Sequence, residues 1–123
     1  MKKRSPRNKT LTLTNDEIEL LSKKLIKLTK PVGVNEITNG VINQDIDETA
    51  DLLPKQFVDL MIIDPPYNLT KNYNGTIFKS KQVSDYASWF ENKLLLLLPL
   101  LKPSATVYVC SDWKTSNIIF PIL

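Results

Sequence analysis

Residues 60 to 68 read LMIIDPPYN. Leu60 to Ile63 are apolar at every position rather than at every second one, the pattern of a strand covered on both faces, as in a parallel sheet flanked by helices. The run stops on Asp64. Pro65 and Pro66 follow; they fix two φ angles, push the residue ahead of them into extended geometry, and offer carbonyls without N–H groups. Tyr67 adds a flat aromatic face. Ligands of open α/β sheets bind beyond the carboxyl ends of the strands, so a rigid cluster of acceptors and a ring stand where a ligand would sit. An aromatic amine suits that cluster, since its NH2 offers two donors and its ring a π-face. Two acceptors holding both hydrogens favour a pyramidal nitrogen with its lone pair free, which is complementarity to a transition state rather than to a ground state.

Working outward, Gln56 to Ile63 form the strand that leads into this turn. Upstream, Asn15 or Thr14 can cap a helix over residues 15–29, with Ile18, Leu21, Leu25 and Leu28 at helical spacing and Pro31 and Gly33 ending it. That helix is expected to pack on the main sheet, with a basic face offered to DNA as the other reading. Residues 34–40 read as a connector, 40–43 as a short strand, and 45–53 as a short helix stopped by Pro54. Downstream lies a polar loop, residues 68–83, with Gly75 as its tight turn. A helix capped by Ser84 or Asp85 then runs to Pro99. Lys102-Pro103-Ser104 turns the chain into a strand over 105–110, and Ser111 or Asp112 caps a last helix that Pro121 interrupts. Trp89, Phe90, Tyr108 and Trp113 are expected in the core, with Cys110 buried and inert. Alternating helices and strands argue an open α/β fold with a parallel sheet. Three strands make about half of a doubly wound sheet.

The chain has 123 residues, 42% hydrophobic and 24% charged, with a net charge of +3. Five of the cations, Lys2, Lys3, Arg4, Arg7 and Lys9, fall in the first ten residues; the remainder holds 11 basic and 13 acidic residues, a net of −2. Such an arm suits a polyanion, and it equally suits a solvated terminus. One cysteine allows no internal disulfide, which fits a reducing, cytoplasmic setting. No histidine is present, so a zinc site is not expected and histidine-based nucleophilic catalysis is excluded within the chain. Gly33, Gly40 and Gly75 stand alone, so no glycine-rich phosphate or dinucleotide loop exists here. The longest apolar run, Leu94 to Leu101, is far short of the ~20 residues of a membrane span, and the basic amino terminus is not followed by a signal-like apolar stretch.

Asp64-Pro65-Pro66-Tyr67 resembles the DPPY motif of the amino-methyltransferases that act on adenine N6 or cytosine N4 of DNA. FVDLMIIDPPYN is similar to that family's strand and motif, and LLPLLKPSATVYV to its following helix, turn and strand, so the likeness covers roughly residues 40 to 115. It implies a partial Rossmann-like parallel sheet flanked by helices, of the S-adenosylmethionine-dependent type, as an incomplete domain. The expected organisation is a disordered arm over residues 1–13, an amphipathic helix and linker over 14–33, and a partial catalytic domain over 34–123. The resemblance further implies S-adenosylmethionine as methyl donor, double-stranded DNA as partner and a flipped-out base stacked on Tyr67. Asp64, Pro65, Pro66 and Tyr67 become the expected catalytic residues. Asp64 and Asp45 are the expected cofactor contacts, although Gln44 stands where the family often has glycine, and Asp45 with Glu48 also has capping-box spacing. In the loop, Asn68, Lys71, Tyr73, Lys79 and Lys81 are the candidates for DNA contact; Asn68 equally reads as a turn cap. No metal site is expected.

The family's glycine-containing cofactor motif, of the form FxGxG, is missing. In one permuted class the DPPY segment comes first, and this chain is similar to the amino-terminal part of that class. The expectation is a fragment or split subunit, inactive alone, whose second chain carries the cofactor motif and the target-recognition region. An Asp-first motif favours adenine over cytosine. Two other readings stay open: an N-methyltransferase acting on RNA or on protein glutamine, and a DNA-binding or regulatory remnant without activity.

Overall fold

The structure is a computed structural model that describes residues 12–73 and 76–123, with backbone alone for 71–73, 76 and 78. The basic arm and Gly75 therefore lie outside the described residues, as do the side chains of Lys71 and Tyr73. Helices are α1 (Asn15–Ser22), α2 (Val34–Ile37), α3 (Ile46–Thr49), α4 (Val83–Leu97) and α5 (Trp113–Ile119); strands are β1 (Val58–Ile63), β2 (Lys71–Tyr73), β3 (Thr76–Phe78) and β4 (Leu101–Val109). Two sheets result, β1 parallel to β4 and β2 antiparallel to β3. The expected α/β architecture is present, with two parallel strands and a hairpin rather than three strands in one sheet.

Thr14 caps α1 through a reciprocal box with Glu17. The helix then stops at Ser22, seven residues before the expected end. Lys23, Lys24, Lys27 and Lys30 crowd like charges onto successive turns there, which destabilises a helix. Tertiary pairing takes over instead: the Ile26 N–H donates to the Val41 carbonyl (2.8 Å) and Ile26 bridges Ile42 in parallel, while the Gln44 carboxamide pairs with both backbone groups of Leu28. The strand expected at 40–43 is reduced to that one bridge. Contrary to expectation α1 does not pack on the sheet, and none of its residues is buried.

In the main sheet Leu60 to Ile63 pair in register with Thr106 to Val109, whereas Val58 pairs with Leu101. The four residues 102–105 bulge out of the ladder. That bulge is the expected Lys-Pro-Ser turn; Pro103 has no N–H to give a ladder, and Lys102 reaches back to both Asp59 oxygens at 2.7 and 2.8 Å.

One face of this sheet carries Met61, Ile63, Val107 and Val109. It looks toward α4, leaving a hollow of about 470 Å³ lined by the α4 leucines. The core gathers beside it: Tyr86, Phe90 and Ile119 are buried, with Trp89, Val109 and Ile118 packed around them. The other face is open. Leu60 is 54% exposed, Ile62 66% and Tyr108 61%. Covering on both faces, inferred from the unbroken apolar run, is thus met on one side only among the described residues. Tyr108 and Trp113, expected in the core, are exposed, and Cys110 is half-buried rather than buried. No helix among the described residues is long and apolar enough to cross a membrane.

Candidate active site

β1 delivers the chain to the rim of the sheet. Its last ladder bond runs from the Cys110 N–H to the Ile63 carbonyl (2.8 Å). Asp64 is the next residue, exposed, followed by buried Pro65, exposed Pro66 and half-buried Tyr67. Among the described residues the Asp64 carboxylate is in no ion pair. The two prolines give the turn no N–H with which to anchor itself, so it is held through its carbonyls and its flanks. The Tyr86 hydroxyl of α4 donates to the Pro66 carbonyl (3.1 Å). The Asn68 N–H donates to Thr115 Oγ1 (3.3 Å), and the Thr115 N–H in turn donates to Asp112, the cap of α5 (2.7 Å). The Leu69 N–H closes a three-residue turn on the Tyr67 carbonyl (2.6 Å).

Electrostatics follow from this crowding of oxygens. Desolvation raises the Tyr67 phenol above its ordinary pKa, helped by the Asp64 charge and by a hydrogen-bonding interaction with that carboxylate. Burial, then the Asp112 charge, raises Tyr86, so both hydroxyls stay protonated donors at neutral pH. Asp112 is lowered by the backbone hydrogen bond from Thr115 and remains an acceptor.

Beyond the motif the loop is closed at its base. The Asn68 carboxamide accepts from the Lys81 N–H (2.7 Å) and donates to the Lys81 carbonyl (3.0 Å), imitating one rung of a β-ladder, and Thr70 Oγ1 accepts from the Ser80 N–H (3.2 Å). The β2–β3 hairpin projects from this latch. Between latch and α4 lies a cavity of about 150 Å³, walled by Pro66, Tyr67, Leu69, Tyr86 and Trp89 and rimmed by Lys79 and Lys81. A cavity of that size takes one aromatic ring. The Lys81 ammonium also stands 5.5 Å from the Trp89 ring centroid. A larger hollow of about 420 Å³ shares Pro66 and Trp89 and adds Pro65, Asp45, Asp47 and Lys93. Asp45 caps α3, accepting from the Asp47 N–H (2.9 Å), while Asp47 pairs with Lys93.

The motif, its loop and the helices that pin it all fall within residues 58–123, the span that matches the DNA methylase family. The chain belongs to the N6/N4 DNA methyltransferase family. Two curated relatives agree. Type II methyltransferase M.HpaI of Haemophilus parainfluenzae is 35% identical over 71 residues, 58% of this chain and 22% of the relative. Type II methyltransferase M.BamHI of Bacillus amyloliquefaciens is 26% identical over 105 residues, 78% of this chain and 25% of the relative. The chain thus spans about a quarter of the length of the relatives it matches.

Of the expected site residues, Pro65, Pro66, Tyr67, Asn68, Lys79 and Lys81 come together around the two hollows, and Asp45 joins them from the cap of α3; Asp64 lines neither hollow and stands exposed at the rim between Ile63 and Pro65. Tyr86 and Thr115 were not singled out from the sequence. Their signals were faint: a tyrosine three residues before a tryptophan on an amphipathic helix reads as core, and a threonine just inside a helix start reads as neutral. Asn68→Ala removes two hydrogen bonds that close the loop. Its expected result is a local loosening of about 1–2 kcal/mol, seen as faster hydrogen exchange of the Lys81 amide with the α4 amides unchanged.

Proposed function

We propose that this chain supplies the base-gripping part of a DNA adenine-N6 methyltransferase. The observation that carries the reading is the exposed Asp64 carboxylate at the carboxyl end of β1, set by rigid prolines beside Tyr67 and free of ion pairing among the described residues. Asp64 accepts one hydrogen of the exocyclic amine. The Pro65 carbonyl accepts the other, since Pro66 already accepts from Tyr86. The amine nitrogen is thereby held pyramidal, and its proton becomes acidic only as the new bond forms, so no strong base is needed. Tyr67 stacks on the extruded ring, a contact worth about 1–3 kcal/mol. Lys71, Lys79 and Lys81 meet the flanking phosphates, Tyr73 contacts the strand or base, and the Asn68 latch holds that loop in place.

S-adenosylmethionine, when bound, supplies the electrophilic methyl group. The hollow beside Pro65 and Pro66 has room for part of that donor, and its lining fits: Asp45 and Asp47 offer carboxylates, Trp89 and Phe90 apolar walls, with Asp64 next in the chain to Ile63 and Pro65, which both line it. A glycine-rich segment for the methionine end is supplied by a second polypeptide or a further region. The open sheet face and the apolar hollow under α4 support this incompleteness.

The test is methyl transfer by the enzyme reassembled with the glycine-rich region, using labelled S-adenosylmethionine and equal amounts of DNA, RNA and protein. N6-methyladenine in digested DNA is the expected product. Label only in RNA or in glutamine side chains removes the DNA reading, and robust turnover by the isolated chain removes the incompleteness.

A further inference from the structure

The prolines of the motif create a mechanical problem that α4 solves. A turn with no N–H at two successive positions has only carbonyls for anchorage, and one of them must stay open for the substrate. Tyr86 is placed to decide which. It is 3% exposed, its ring stacked on Phe90 (6.5 Å between centroids, 7° between planes) and tilted against Trp89 (5.4 Å). The ring has no freedom to swing, so the hydroxyl is a fixed donor at the Pro66 carbonyl, 3.1 Å away. No buried side-chain polar atom among the described residues lacks a partner, so this bond also satisfies a hydroxyl that would otherwise be stranded in the core.

We infer that Tyr86 is a positioning residue for the DPPY turn: by engaging the Pro66 carbonyl it fixes the plane of the Pro66–Tyr67 peptide, and so aims the Pro65 carbonyl and the Tyr67 ring at the incoming base. The inference rests on the base-gripping reading above and deepens it. Tyr86 also forms part of the wall of the cavity beside Tyr67, but its hydroxyl is engaged at Pro66, and its positioning role is exerted through the motif. Helix α4 gains a functional reason for its tyrosine, since phenylalanine would pack equally well and leave the Pro66 carbonyl without this donor.

The sequence offers a direct probe. Pro66–Tyr67 is the one Pro–Tyr dipeptide in the chain. Protein labelled with carbonyl-13C proline and 15N tyrosine therefore gives a single proline-carbonyl to tyrosine-amide NMR correlation, which reports the Pro66 carbonyl and the Tyr67 amide together. Tyr86→Phe keeps the stacked ring and removes only the donor. Its expected result is an upfield move of that carbonyl signal, and an affinity for single-stranded oligodeoxyadenylate, read from the same amide, about three- to tenfold weaker. An unmoved carbonyl overturns the inference. So does a moved carbonyl with unchanged affinity, because the bond would then be structural only. If the Tyr67 amide of the unaltered chain ignores the oligonucleotide, the base-binding reading fails instead, and the carbonyl shift still decides whether Tyr86 anchors the turn.

Discussion

Asp64→Ala in the reassembled enzyme is expected to lower methyl transfer by about 100- to 1,000-fold, the range for removing one preorganised electrostatic partner of a reacting group. DNA affinity should stay within about threefold, because the lost interaction belongs mostly to the transition state. Kinetics with saturating DNA and a separate binding isotherm separate the two. The reason lies in the geometry: Asp64 is exposed at the sheet's rim, and no cation among the described residues competes for it. A variant that methylates at the original rate would remove Asp64 from the chemistry. A variant that loses DNA binding and turnover together would make it a binding residue instead.

Phe90→Ala has the largest expected effect on stability. Phe90 is 1% exposed, stacks on Tyr86 and sits in the core with Ile119. Truncating a buried phenylalanine costs about 3–5 kcal/mol, a large part of the roughly 5–15 kcal/mol that holds a domain together. Urea unfolding followed by tryptophan fluorescence should show a midpoint lowered by more than 1 M, given slopes of about 1–3 kcal/mol per M. A shift of a few tenths of a molar would mean that the α4–α5 packing is not what holds the fold. The same substitution also loosens Tyr86, so the Pro66 carbonyl signal should move in this variant too.

Much of this was legible in the residues. The unbroken apolar run before an acid and two prolines marked a strand end at the rim of the sheet, and β1 ends there, one residue before Asp64. Asp45 reads as a cap from its spacing to Glu48, and Ser111 or Asp112 as the cap of the last helix; Asp45 and Asp112 serve as caps. Most of the failures share a cause, which is long-range pairing that local pattern does not encode. The stretch from Lys23 to Leu28 has helical spacing, yet Ile26 and Leu28 are captured by Val41 and Gln44. Lys102-Pro103-Ser104 looks like a connector and is a bulge inside a strand, because Asp59 draws Lys102 back to the sheet. The polar loop hid a hairpin, since its latch is a side chain, Asn68, imitating backbone. Apolar residues at 60, 62 and 108 were read as buried, a reading that depends on a layer the described residues do not supply.

The central claim is that the motif holds a flipped base, with Tyr67 against its ring. Photo-crosslinking tests it most directly: duplex DNA carrying a photoreactive adenine is irradiated with the reassembled enzyme, and the adduct is located by peptide mass spectrometry. The account predicts attachment at Tyr67, lost when the analogue is placed outside the recognised site. Attachment confined to the basic arm or to the open sheet face, with Tyr67 unmodified, would contradict it.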